Sequence, residues 1–75
     1  MTKDAFLMKL AEILEVKAED LNEQFKLDYK NWDSLRVMAT IAAIDQYFDI
    51  LVSPEQLEAC SSAKDLFELI ERQQD

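Results

Sequence analysis

The run Trp32-Asp33-Ser34-Leu35 is the stretch where residue type and position could combine into chemistry. Asp33 suits a helix N-cap, because its carboxylate can accept the free amide protons of a first turn. A serine directly after that cap lies in the first turn and holds its hydroxyl at the surface. Read by itself, an aspartate-serine-leucine tripeptide is common by chance, and helix capping is then the better explanation of Ser34. Other reactive groups offer less. The chain has no histidine and a single cysteine, Cys60. It therefore lacks a base for a nucleophile, and its many carboxylates lack the core needed to bury and tune an acid–base pair. Asp28, Asn31 and Asp33 are too irregular for a calcium loop, which needs a central glycine and a closing glutamate. Cys60 falls where a short helix should close and reads as a small buried hydrophobe. We expect no catalysis and no metal site.

Seventy-five residues, 49% of them hydrophobic, make one domain over residues 1–75 with a thin but sufficient core. The net charge of −8, from sixteen acidic and eight basic residues, repels nucleic acid and favours partners with positive patches. No run of like charge exceeds two residues, so the acidity belongs to solvated helix faces. A cysteine without a partner fits a reducing compartment, and we expect a cytoplasmic monomer. Charges interrupt the N-terminal apolar residues too often for a signal-peptide core or a membrane-inserted segment.

The absence of glycine and the presence of one proline favour helices joined by irregular polar loops. The first helix is expected from about Asp4 to Val16, with Phe6, Leu7, Leu10, Ile13 and Leu14 on one face. Residues Lys17 to Trp32 form a long loop, with room for one short turn, which Leu21, Phe25, Leu27 and Tyr29 could pin to the core. Asp33 then caps a central second helix in which Leu35, Val37, Met38, Ile41, Ala42, Ile44 and Phe48 make an apolar face wider than one stripe. Ser53-Pro54-Glu55-Gln56 reads as cap, first-position proline and capping-box glutamine for a short third helix ending near Cys60. Ser62 and Asp65 repeat the spacing for a last helix, whose buried face is Leu66, Phe67, Leu69 and Ile70 before the polar tail Arg72 to Asp75. The fold class is all-α: a four-helix bundle of three longer helices and one short helix, with a long first loop.

With that frame in place, nearly the whole chain resembles the acyl carrier protein family. In that family an aspartate-serine-leucine motif opens the second helix of a four-helix bundle. Asp33-Ser34-Leu35 fall on that motif, and Phe48, Val52 and the Ser61-Ser62 cap follow at similar spacing. The resemblance implies that Ser34 takes 4'-phosphopantetheine from coenzyme A, delivered by a phosphopantetheinyl transferase whose magnesium belongs to the complex. It implies a carrier, not an enzyme: acyl groups ride as thioesters on the arm and are presented to acyl-activating and acyl-transferring enzymes. The phosphodiester would sit at a helix N-terminus, which favours an anion by about 0.3–1 kcal/mol. Asp33 competes for the same amides, so its implied role is recognition by the transferase or orientation of the turn. Leu35, Arg36, Met38 and Trp32 are the expected partner-binding residues, Trp32 also serving to anchor the long loop.

Two departures qualify the match. Typical members carry a glycine shortly before the aspartate, where this chain has Asn31-Trp32, and their second helix is rich in glutamate. Here Arg36 is the sole charged residue between Ser34 and Ile44. Such a helix steers basic enzyme patches weakly, which points to a specialised pathway and away from bulk fatty-acid synthesis. A peptidyl or aminoacyl carrier and an unmodified helical interaction module are the alternative readings.

Overall fold

A computed structural model describes residues 2–28 and 30–74 of the chain. Its elements are α1 (Thr2–Leu14), a 3-10 turn over Ala18–Asp20, α2 (Ser34–Phe48), α3 (Pro54–Glu58) and α4 (Ala63–Gln74). The architecture is the all-α bundle of three longer helices and one short one, and the 3-10 turn is the short turn anticipated in the long loop. Tyr29, expected to help pin that loop, and Asp75 of the polar tail lie outside the described residues.

Two helix ends are settled by backbone geometry that no glycine provides. The first helix stops at Leu14, two residues before the expected Val16, because Glu15 turns left-handed at φ 61°. Glu15 N–H then donates to Glu12 O at 3.2 Å and Val16 N–H to Ala11 O at 3.0 Å, the paired bonds of a Schellman close. Asp49, left-handed at φ 57°, ψ 45°, ends α2 in a simpler way, its N–H donating to Asp45 O.

The helix starts follow the sequence. Ser53 and Gln56 form a reciprocal capping box: Gln56 N–H donates to Ser53 Oγ at 3.1 Å, and Ser53 N–H to Gln56 Oε1 at 2.9 Å. At α4 the box is displaced by one residue. Asp65 N–H donates to Ser62 Oγ at 3.3 Å, but the Asp65 carboxylate accepts from both the amide and the hydroxyl of Ser61. These bonds hold Asp65 below the ordinary aspartate pKa, the Ser61 amide contributing most.

The core gathers Phe6, Leu10, Ala11 and Leu14 of α1, Val37, Ala43 and Ile44 of α2, Leu57 of α3, and Leu66, Leu69 and Ile70 of α4. Leu21 and Leu27 drop into it from the long loop, as expected. Phe6 meets the edges of Tyr47 and Phe48 at 6.3 and 5.2 Å, which locks α1 to the end of α2. Phe67, Leu7 and Ile13, read as members of buried faces, are only partly buried. Backbone pairing supplies a tie that side-chain patterns do not announce. Leu27 N–H donates to Ser61 O, Ala63 N–H to Phe25 O and Lys64 N–H to Glu23 O, so the loop is sewn to the start of α4.

The broad apolar face expected of α2 divides into two. Val37, Thr40, Ala43 and Ile44 are buried, and the Thr40 hydroxyl is satisfied by donating to Arg36 O at 2.8 Å. Leu35, Met38 and Ala42, placed on the same face by the sequence, are exposed instead. Cys60 is buried and free, and burial pushes its thiol pKa up. No described helix is long and apolar enough to cross a membrane.

Candidate functional site

The site is the first turn of α2 and the loop that delivers the chain to it. Asp28 and Asn31 build a tight local turn: Asn31 Oδ1 accepts from Asp28 N–H at 2.9 Å, and Asp28 Oδ1 accepts from Lys30 N–H at 2.9 Å. Asn31 Nδ2 donates back to Lys26 O, and Trp32 N–H donates to Asp28 O at 2.8 Å. These side-chain bonds take the place of a glycine turn before the motif. The indole of Trp32 is partly buried and its N–H donates to Leu57 O at 2.8 Å, so the residue just before the motif is fastened to α3.

Asp33 is the N-cap, extended at φ −94°, ψ 176°, and its Oδ1 accepts from Arg36 N–H at 2.9 Å. The Arg36 guanidinium folds back on the same carboxylate at 2.8 Å and reaches Glu15 at the end of α1 at 3.7 Å. The Arg36 amide does most to hold Asp33 below the ordinary aspartate pKa; desolvation, the next largest effect, opposes it, and the charge and hydrogen bond of the Arg36 side chain add to the lowering. Its carboxylate is therefore ionised and engaged at neutral pH. Arg36, expected to meet partners, keeps only 24% of its side chain exposed, and its Nε is buried without a hydrogen-bond acceptor among the described residues.

Ser34 begins α2 and is exposed. Its hydroxyl has no hydrogen-bond partner among the described residues, because Asp33 does the capping. A capping-region serine would be engaged by the backbone; this hydroxyl is left to solvent. The Arg36 amide goes to Asp33 Oδ1 and the Val37 amide to Asp33 O, while the amides of Ser34 and Leu35 open at the helix end. An anion attached through Ser34 would meet those two amides and the positive end of the helix dipole. The residues present thus fit a phosphodiester on this serine. Leu35 and Met38 flank it with 78% and 57% of their surfaces exposed. No cluster of residues able to hold a metal ion occurs among the described residues.

The geometry is that of a handle: an exposed hydroxyl at a capped helix start, with no hydrogen-bond partner among the described residues. The family model for the phosphopantetheine attachment site matches residues 4–70, and the chain belongs to that family of non-catalytic carriers. The domain accordingly bears 4'-phosphopantetheine covalently and deals with phosphopantetheinyl transferase and acyl-handling enzymes as such carriers do. Comparison with curated proteins and with solved structures finds no match.

Three features of the site escaped the sequence reading. The Glu15–Arg36–Asp33 chain joins residues far apart in sequence; the Asn31 turn relies on side-chain geometry; and the acceptor for Trp32 is a backbone carbonyl, which residue identity does not disclose. Only Asp33 and Arg36, three positions apart at a helix start, gave a signal that could have been read.

Proposed function

We propose that Ser34 is the residue that takes the arm, and that the chain carries acyl intermediates as thioesters for acyl-activating and acyl-transferring enzymes of a specialised pathway in the cytoplasm. The observation that carries this reading is the exposed, unpartnered Ser34 hydroxyl at the start of α2, inside the family match. In the transfer Ser34 Oγ would attack the phosphorus of coenzyme A nearest the pantetheine. One P–O bond forms, the P–O bond to the nucleotide half breaks, and the hydroxyl proton leaves to a base of the transferase. The arm supplies a terminal thiol on which an acyl group is held as a thioester. The protein's own part is to fix the hydroxyl: Asp33 and Arg36 rigidify the turn, and Trp32 ties the preceding loop to α3. The weakly charged α2 supports a specialised pathway, and the free Cys60 supports a reducing cytoplasm.

Intact-mass spectrometry tests the assignment. After incubation with a phosphopantetheinyl transferase and coenzyme A, the wild-type chain should gain one arm and Ser34→Ala none. An equal gain by Ser34→Ala would remove Ser34 from the reading. Loaded chain should then release its cargo to hydroxylamine as a thioester. Charging by an amino-acid-adenylating enzyme but by no acyl-activating enzyme would make it a peptidyl carrier.

A further inference from the structure

Arg36 breaks two local rules at the start of α2. It puts a cation in the first turn, where the helix dipole already sums to roughly half a positive charge. Its Nε is buried with no hydrogen-bond acceptor among the described residues. The cap does not call for the charge: the bond to Asp33 Oδ1 at 2.9 Å comes from the Arg36 backbone amide, which any residue but proline would supply.

The surroundings leave the guanidinium under-used. Nη1 donates to Asp33 Oδ2 at 2.8 Å, the one hydrogen bond that this side chain makes among the described residues. Nη2 stands 3.7 Å from Glu15 Oε2, beyond hydrogen-bond reach, and the Glu15 side chain is 77% exposed, so that contact is loose. The edge formed by Nε and Nη2 is thus without a hydrogen bond, and such an edge suits two oxygens of one anion. No other basic residue occurs between Lys30 and Lys64, whereas Asp33, Asp45, Asp49, Glu55 and Glu58 all fall in that span. Arg36 is therefore the sole cation that α2 and α3 contribute.

Resting on the reading that Ser34 carries the arm, we propose that Arg36 is the charge partner of the arm's phosphodiester: it keeps Asp33 and turns its Nε–Nη2 edge from Glu15 to the phosphate. Long side chains on a helix lean back over the preceding turn, and the Asp33 contact shows Arg36 doing so, as far as the residue next to Ser34. A phosphodiester on Ser34 puts a second anion beside the Asp33 carboxylate, on a chain that already bears −8. A guanidinium shared between them lets the two stand on adjacent residues. Glu15 gives up its contact at little cost, since that contact is long and exposed to solvent. The Ser34 and Leu35 amides then offer the phosphate neutral donors, and Arg36 supplies the charge. Both local costs of the arginine are recovered in the arm-bearing protein, where the helix end holds an anion and the unused edge an acceptor.

The test is a cycle of urea titrations on wild type and Arg36→Gln, each with and without the arm. Glutamine keeps the capping amide and is a comparable helix former. The arm should lower the folding equilibrium constant of Arg36→Gln at least about threefold further than that of wild type, the scale of a partly exposed ion pair. A smaller difference, or one of opposite sign, overturns the proposal and leaves the phosphate to the backbone amides. If Arg36→Gln does not fold, the wild type decides by NMR. Attaching the arm should slow the exchange of the Arg36 guanidinium protons with water by at least about threefold, with Arg72, the other arginine of the chain, as the unchanged control. A smaller change at Arg36 overturns the proposal. Tandem mass spectrometry of the arm-bearing chain scores the attachment point separately: an arm on another residue removes both readings, and an arm on Ser34 without the coupling removes this one alone.

Discussion

Trp32 is next to the proposed attachment point, and its replacement by phenylalanine separates anchoring from recognition. The substitution keeps an aromatic ring in the same place but deletes the indole N–H that donates to Leu57 O at 2.8 Å. That carbonyl also accepts from Cys60 N–H at 3.0 Å, so it is not left bare and the large penalty for an orphaned acceptor does not apply. The loss is then one ordinary hydrogen bond, about 0.5–1.5 kcal/mol, plus the smaller ring's lost burial at a half-covered site, for a total of about 1–2 kcal/mol. For a domain of this size that lowers the melting temperature by about 4–15 °C. Urea unfolding followed by circular dichroism measures it, since the chain has no other tryptophan to report by fluorescence. If Trp32 acts as an anchor, arm transfer to Trp32→Phe, measured well below its midpoint, should stay within about threefold of wild type. A stability change under about 0.3 kcal/mol would refute the anchoring argument. A loss of transfer above tenfold with the fold intact would show that the transferase reads the indole directly.

Two further outcomes follow from helix ends. Asp49 closes α2 in a left-handed conformation and puts a carboxylate at the negative end of the helix dipole, with no base in the last turn. Asp49→Gly relieves both, and should raise stability by about 0.5–1.5 kcal/mol in urea titration; Asp49→Asn should recover the dipole part alone, and a destabilised glycine variant would count against the argument. Asp33 and Asp65 both have pKa values depressed by backbone amides, those of Arg36 and Ser61 respectively. A carboxylate that binds protons less readily when folded stabilises the fold above the ordinary aspartate pKa of about 3.9, and that stability is lost as pH falls through the folded value. Urea midpoints taken from about pH 6 to about pH 3 should therefore fall with acid, and Asp65→Asn should flatten part of the slope; midpoints that rise with acid would contradict it.

Side-chain signals made much of the frame readable. Asp33, Ser53 and Ser62 each mark a helix start because a short polar side chain satisfies amides that the helix leaves open, and each is found capping. Helix ends were harder. Their usual marker is glycine, and a chain without glycine must end helices on residues such as Glu15 and Asp49 that nothing singles out. The attachment of the long loop to α4 was illegible for a different reason: backbone amides and carbonyls are common to every residue. Leu21 and Leu27 showed that the loop is held, but the bonds from Leu27, Ala63 and Lys64 that hold it carry no residue signature.

The second helix shows the limit most clearly, and it is the limit that bears on function. A 3.6-residue period identifies apolar positions, but when apolar residues surround most of a helix it cannot tell which side the rest of the protein covers. That choice is made elsewhere, by Phe6 of α1 packing on Tyr47 and Phe48 and by Thr40 turning inward with its hydroxyl spent on Arg36 O. Once those contacts fix the rotation of α2, Leu35, Met38, Ala39 and Ala42 are left outside. An apolar stripe with no structural use is costly in an otherwise acidic, well-capped protein, and local rules tend to be broken where a surface has other work. Both the stripe and the neighbouring Ser34 hydroxyl are left unused by the fold, so the period alone could not tell which side of α2 faces solvent at the proposed attachment point.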